Sequence, residues 1–233
     1  MSSYPHRHYK PENTEQKRLL IYLHGNGDQA LKDDGSTGNI VACAARNGLP
    51  LIAPQDGWGN KHPEKKNNLP GNWEDFNDPK FISTLVRFGE SQMGHSADKI
   101  LIGSFSGGNI AVTKILRSLE KSENPEAKDL YERISRIALF DSADGNERDY
   151  VARWMSANSD SQVYSCFNEN AGGIEGAVRN GNKTYKSGND LLRKALEDNN
   201  VPSSRFQIDQ IPKKNSMGHG VRPDKCDEYM KEE

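Results

Sequence analysis

The run Ile100-Leu101-Ile102-Gly103-Ser104-Phe105-Ser106-Gly107-Gly108-Asn109 carries an apolar segment straight into a serine flanked by small residues, and an amphipathic stretch follows at once. No other feature of the chain constrains the fold as much. Strand, sharp turn and helix in that order present a serine hydroxyl at the tip of a sheet. The turn is tight, so small residues are expected at Ser104 and Gly108, where larger side chains would clash across the bend. The helix aims its N-terminus back at Ser106. Its free N–H groups and positive dipole end then lie where an oxyanion would form.

Strand-like and helix-like runs alternate along the rest of the chain. That predicts an α/β fold, a mostly parallel central sheet with helices on both faces. Strands are expected at Leu19–Leu23, Leu49–Ala53, Ile100–Gly103, Ile134–Phe140, Gln162–Phe167 and Arg205–Ile211. Helices are expected at Thr37–Asn47, from Asp78-Pro79 as N-cap and N1, after Gly108, over about Glu147–Ala157, over Asn189–Asp198 and from Pro223. With 233 residues and no internal repeat, the chain reads as one domain, 1–233, with a long loop insertion at about 55–77. A core of that size folds without disulfides.

The formal net charge of −2 gives no reason to expect nucleic acid or an anionic membrane as partner. No run is long and apolar enough for a membrane span. The first residues, Met1 to Lys17, are polar and hold no signal-peptide core, so the expectation is a cytoplasmic protein or a secreted one whose signal lies outside this sequence. A mean hydropathy of −0.87 tilts toward a large wet surface. Of the three cysteines, Cys43 falls in a helix pattern and Cys166 in a strand pattern, so both read as small buried apolar residues. The odd count argues against a disulfide framework. No zinc-type spacing is present, so neither metal nor cofactor is expected.

A second signal lies upstream, where Lys17–Leu23 reads as a buried strand ending in His24-Gly25-Asn26-Gly27-Asp28. Together with the serine turn, this resembles the α/β-hydrolase superfamily, whose members carry a strand ending in His-Gly-X ahead of the nucleophile. The resemblance runs from Arg18 to Gly220. It implies that the backbone N–H groups of Asn26 and Gly107 hold the oxyanion. The family usually has Gly where this chain has Ser104. Within the superfamily, His24-Gly25-Asn26-Gly27-Asp28-Gln29, Ala53-Pro54-Gln55, Gly71-Asn72-Trp73 and Asp98-Lys99-Ile100 look like the group of feruloyl and acetylxylan esterases and polyhydroxybutyrate depolymerases. Leu23-His24-Gly25-x-Gly27-Asp28 is also similar to acyl-protein thioesterases and related carboxylesterases.

A serine hydroxyl needs a base within hydrogen-bond reach, and in this fold the order is Ser, acid, His. His219 lies between glycines, after the last strand and before the last helix, where the superfamily puts its base. His24 belongs to the oxyanion turn and is expected to bond the backbone there. The superfamily usually places the acid after the strand Gln162–Phe167, where Glu169 stands. Some of its lipases place it one strand earlier, where Asp141-Ser142-Ala143-Asp144 resembles their turn. Asp141 is the first candidate, because a carboxylate directly after a buried strand is expensive without a partner. Glu169 and Asp144 are the alternatives. The competing role for each is a turn or helix-capping carboxylate.

The sum is a serine hydrolase that cleaves a carboxylic ester through an acyl-enzyme, on a small-molecule or polysaccharide-linked substrate. Trp58 and Trp73, in the long loop, are candidate substrate-platform residues, or simply pins for the loop. The competing readings are a non-catalytic binding protein on the same scaffold and a peptidase or amidase with the same triad.

Overall fold

A computed structural model of the chain describes residues 6–12, 16–25, 35–55, 73–143, 147–168, 185–211 and 223–231. Among these residues seven strands form one sheet: β1 (His6–Tyr9), β2 (Arg18–Leu23), β3 (Leu51–Pro54), β4 (Lys99–Phe105), β5 (Ile134–Phe140), β6 (Gln162–Asn168) and β7 (Phe206–Ile211). Their order across the sheet is β1-β3-β2-β4-β5-β6-β7, and every pairing is parallel except β1 against β3. The helices are α1 (Gly35–Arg46), α2 (Pro79–Met93), α3 (Asn109–Glu120), α4 (Pro125–Arg133), α5 (Arg148–Ala157), α6 (Tyr185–Asp198) and α7 (Pro223–Met230).

The central strands are apolar on both faces because both faces are covered. In β2, Leu19, Ile21 and Leu23 pack with Ile100 and Ile102 of β4 under α2 to α6. Leu20 and Tyr22 point the other way and join Leu101, Ala138 and Phe140 under α1 and α7. Such alternation is the two-residue period of a pleated strand. The helices answer it with the longer period: Ala111, Val112, Ile115, Leu116 and Leu119 of α3 are all buried. Asp78 caps α2 by accepting from the Lys80 N–H at 2.9 Å, and Pro79 starts it.

Two elements lie outside those expected from the sequence. β1 is four polar residues, His6-Arg7-His8-Tyr9, on a sheet edge, where no apolar alternation is required. α4 buries only Ala127 and Leu130, too few for a visible period, although Asn124 caps it by accepting from the Glu126 N–H at 2.9 Å.

The cysteines correct the sequence reading. Cys43 of α1 and Cys226 of α7 form a disulfide across 183 residues, with Cα atoms 6.2 Å apart; Cys166 is buried and takes no part in a disulfide. Spacing along the chain could not reveal this pair, because the sheet, and not local sequence, places α1 beside α7. The same contact carries an ion pair, Arg46 to Asp227 at 2.9 Å, and Asn47 donates to Asp227 at 2.9 Å. The far end of α7 is capped by two arginines: Arg18 donates to the Met230 carbonyl at 3.1 Å and Arg136 to that of Tyr229 at 2.9 Å. On β7, Asp209 accepts from Lys225 at 2.8 Å, Gln207 at 3.0 Å and Tyr229 at 3.1 Å. Burial opposes the charged carboxylate, but these donors outweigh it and hold the carboxyl below its ordinary value. Lys225 is pushed up, chiefly by its bonds to Asp209 and Glu228. α7 is therefore fixed to α1, β2, β5 and β7.

Candidate active site

β4 delivers Ser106 to the carboxyl edge of the sheet, and a single 3-10 turn over Ser106–Gly108 turns the chain into α3. Ser106 has φ 49°, the left-handed region that costs a side-chain-bearing residue roughly 1–2 kcal/mol. The serine is 7% exposed. Gly108 has an ordinary φ of −64°, so its reason is space. A Cβ there would stand 2.3 Å from the carbonyl oxygen of Leu23. The turn after β4 thus lies directly on the end of β2.

The upstream turn comes equally close. A Cβ on Gly25 would meet Ser106 Cβ at 2.9 Å and Phe105 Cδ1 at 2.9 Å. The His-Gly pair and the serine turn are therefore in van der Waals contact. His24 is 3% exposed, with Nδ1 2.9 Å from the Gly25 carbonyl and Nε2 3.3 Å from Gln55 Nε2. The carbonyl can only accept, so Nδ1 carries the proton and Nε2 accepts from the Gln55 amide. Trp73 closes over this histidine with ring centroids 4.9 Å apart and touches Phe76 edge-on at 5.5 Å.

At the next strand, Asp141 follows β5 with φ 44° and is 4% exposed. Its N–H donates to the Cys166 carbonyl at 2.8 Å, which extends the β5–β6 ladder by one residue. Ser142 is 1% exposed; its hydroxyl donates to the Ser106 carbonyl at 2.9 Å and lies 2.8 Å from Ser104 Oγ. Glu147, fully buried, accepts from Asn109 Nδ2 at 3.4 Å at the start of α3. A carboxylate at that helix N-terminus is favoured by the dipole.

Of the residues singled out in the sequence, the structure brings Ser106, Gly107 and Asp141 together at one edge of the sheet. Asn26, Trp58, Asp144, Glu169 and His219 lie outside the described residues. Trp73 is 2% exposed and belongs to the core beneath the turn, so its buried faces offer no open platform. Sequence reasoning missed Ser142. The signal was Ser104 itself, since a hydroxyl in a glycine position beneath a tight turn needs a buried polar partner. Among the described residues no cluster of His, Cys, Asp and Glu could hold a metal ion, and no helix is long and apolar enough to cross a membrane.

No protein-family profile matches the sequence, and no curated protein matches it. Solved structures do. Esterase 2 of Thermogutta terrifontis phosphonylated by sarin is similar with a TM-score of 0.55 at 15% identity, over 88% of this chain and 78% of that one. LpqC, a poly(3-hydroxybutyrate) depolymerase from Bordetella parapertussis, is similar with a TM-score of 0.56 at 13% identity, over 93% and 78%. YahD, solved with malic acid, is similar with a TM-score of 0.51 at 12% identity, over 97% and 96%. These likenesses and the sheet order establish the α/β-hydrolase fold. At such identity a fold does not carry its chemistry with it.

Proposed function

We propose that the protein is a serine hydrolase acting on carboxylic esters. The observation that carries the reading is Ser106, held at φ 49° between the end of β4 and the start of α3, with the Gly25 turn against its Cβ. That position leaves a hydroxyl at the mouth of a helix N-terminus, where developing negative charge is stabilised. In this reading Ser106 Oγ attacks the ester carbonyl carbon and His219 takes the hydroxyl proton. The carbonyl π electrons move onto the oxygen, which the N–H groups of Asn26 and Gly107 hold. Collapse expels the alkoxide, which leaves as an alcohol with the proton from His219. Water, deprotonated by the same imidazole, then releases the acid and restores Ser106.

Asp141 is the acid of this reading. Its place at the tip of β5, beside the strand that carries Ser106, supports the assignment. The neighbours support the substrate class: one is an esterase modified by an organophosphonate, another a depolymerase of a polyester. The Cys43–Cys226 bridge supports work in an oxidising compartment, since such bonds persist there.

The experiment is intact-mass analysis after incubation with a fluorophosphonate, with Ser106→Ala as control. One adduct that disappears in the variant is the expected result, with turnover of p-nitrophenyl acetate lost alongside it. A folded protein that takes no adduct sinks the reading and points to a binding protein on this scaffold. Equal turnover of a peptide and its matched ester would shift it to an amidase.

A further inference from the structure

We propose that Ser142 is a positioning residue that aims the oxyanion donor, acting through the peptide group between Ser106 and Gly107. The inference rests on the reading of Ser106 as nucleophile and adds a residue to it.

The hydrogen-bond directions follow from counting protons. Ser142 Oγ donates to the Ser106 carbonyl at 2.9 Å, and a carbonyl can only accept. Ser142 has one hydroxyl proton, so at the 2.8 Å contact with Ser104 it is the acceptor and Ser104 the donor. The chain runs Ser104 O–H to Ser142 Oγ, then Ser142 O–H to Ser106 C=O. All three residues are buried, at 0%, 1% and 7% exposure.

The Ser106 carbonyl and the Gly107 N–H belong to one planar peptide group, which is trans here. In a trans peptide the two bonds point in opposite directions. A hydrogen bond that fixes the carbonyl toward Ser142 therefore fixes the N–H on the other side. Gly107 has no side chain to hold its orientation, and the preceding residue sits at a costly φ of 49°. The Asn109 N–H reaches the same carbonyl from within the turn; the Ser142 hydroxyl adds an anchor on the neighbouring strand, and without it the peptide plane is tied to its own turn alone. The same bond polarises the amide and makes its N–H a better donor. The serine at position 104 then has a purpose: it holds the Ser142 hydroxyl in the rotamer that reaches the carbonyl.

Ser142→Ala is compared with Ser165→Ala. Ser165 is a buried serine of β6 whose hydroxyl donates to Asn189 at 2.6 Å, away from the turn. Labelling of the parent protein at Ser106 by a fluorophosphonate tests the underlying reading first; no labelling overturns both. With labelling in hand, kcat on p-nitrophenyl acetate in Ser142→Ala is expected to fall about tenfold to a hundredfold, with KM within about twofold. The Ki of a trifluoromethyl ketone, whose hemiketal oxyanion needs the donor, rises by the same factor. Ser165→Ala loses comparable melting temperature and keeps its kcat. Ser142→Cys, with a weak donor of similar shape, gives an intermediate kcat and keeps the test open if the alanine variant folds poorly. Unchanged kcat in Ser142→Ala, an unchanged ketone Ki despite lost kcat, or an equal kcat loss in Ser165→Ala overturns the proposal.

Discussion

Ser106 and Asp141 are positional equivalents on neighbouring strands: each directly follows one of the paired residues Phe105 and Phe140, and each bends into the left-handed region, at φ 49° and 44°. Two adjacent strands thus end in the same costly turn, and the surrounding packing must hold both. Asparagine tolerates this φ as well as aspartate does, so Asp141→Asn removes the charge and leaves the turn. If Asp141 is the acid, kcat falls by up to roughly ten-thousandfold while the melting temperature holds. The same loss in Glu169→Gln or Asp144→Asn, with Asp141→Asn active, moves the acid to that residue.

Gly108→Ala is expected to be among the most damaging small substitutions in the protein. Its φ is already ordinary, so the cost is contact alone: a methyl 2.3 Å from the Leu23 carbonyl oxygen. Backbone does not step aside as a flexible side chain does. A destabilisation of about 3 kcal/mol or more is expected, read by urea unfolding. A loss under about 1 kcal/mol would mean that β2 and the turn can separate without penalty.

Asp209 gives a pH signature. Its carboxyl is held below its ordinary value in the folded protein, so its contribution to stability is full above about pH 5 and is lost as pH falls through the lowered folded value. Asp209→Asn is expected to cost about 1–2 kcal/mol near pH 7, discounted because the pair is a quarter exposed. The gap between parent and variant closes on acidification. A gap that stays constant from pH 7 to pH 3 would show that the carboxylate charge is not what ties β7 to α7.

Reduction offers a fourth test. On the chain-entropy account, closing a loop of 183 residues restricts the unfolded chain by about 5 kcal/mol. Dithiothreitol should lower the melting temperature by many degrees, Cys43→Ser should reproduce that loss, and Cys166→Ala should not remove the reductant's effect. A melting curve indifferent to reductant would leave the bridge without a stabilising role.

The sheet was legible because buried parallel strands are nearly continuous apolar runs, and Ile134–Phe140 reads off the sequence to the residue. β1 and α4 were not legible, since an edge strand and a helix with two buried residues need few apolar positions. At the site, Ser106 stood out because a tight turn demands small neighbours in a fixed order. Ser142 did not, because its partners Ser104 and Ser106 lie 38 and 36 residues away and meet it only through the β4–β5 register. The Cys43–Cys226 pair was hidden for the same reason: the sheet, and not local spacing, brings α1 to α7.

That bridge also sets an order of events during biosynthesis. Cys226 is made 183 residues after Cys43, when strands β3 to β7 have already been translated. The cross-link can therefore close only after α7 has been made, and a chain stalled before α7 carries Cys43 without its partner thiol. Oxidation of the pair thus marks a copy whose chain has been made through α7.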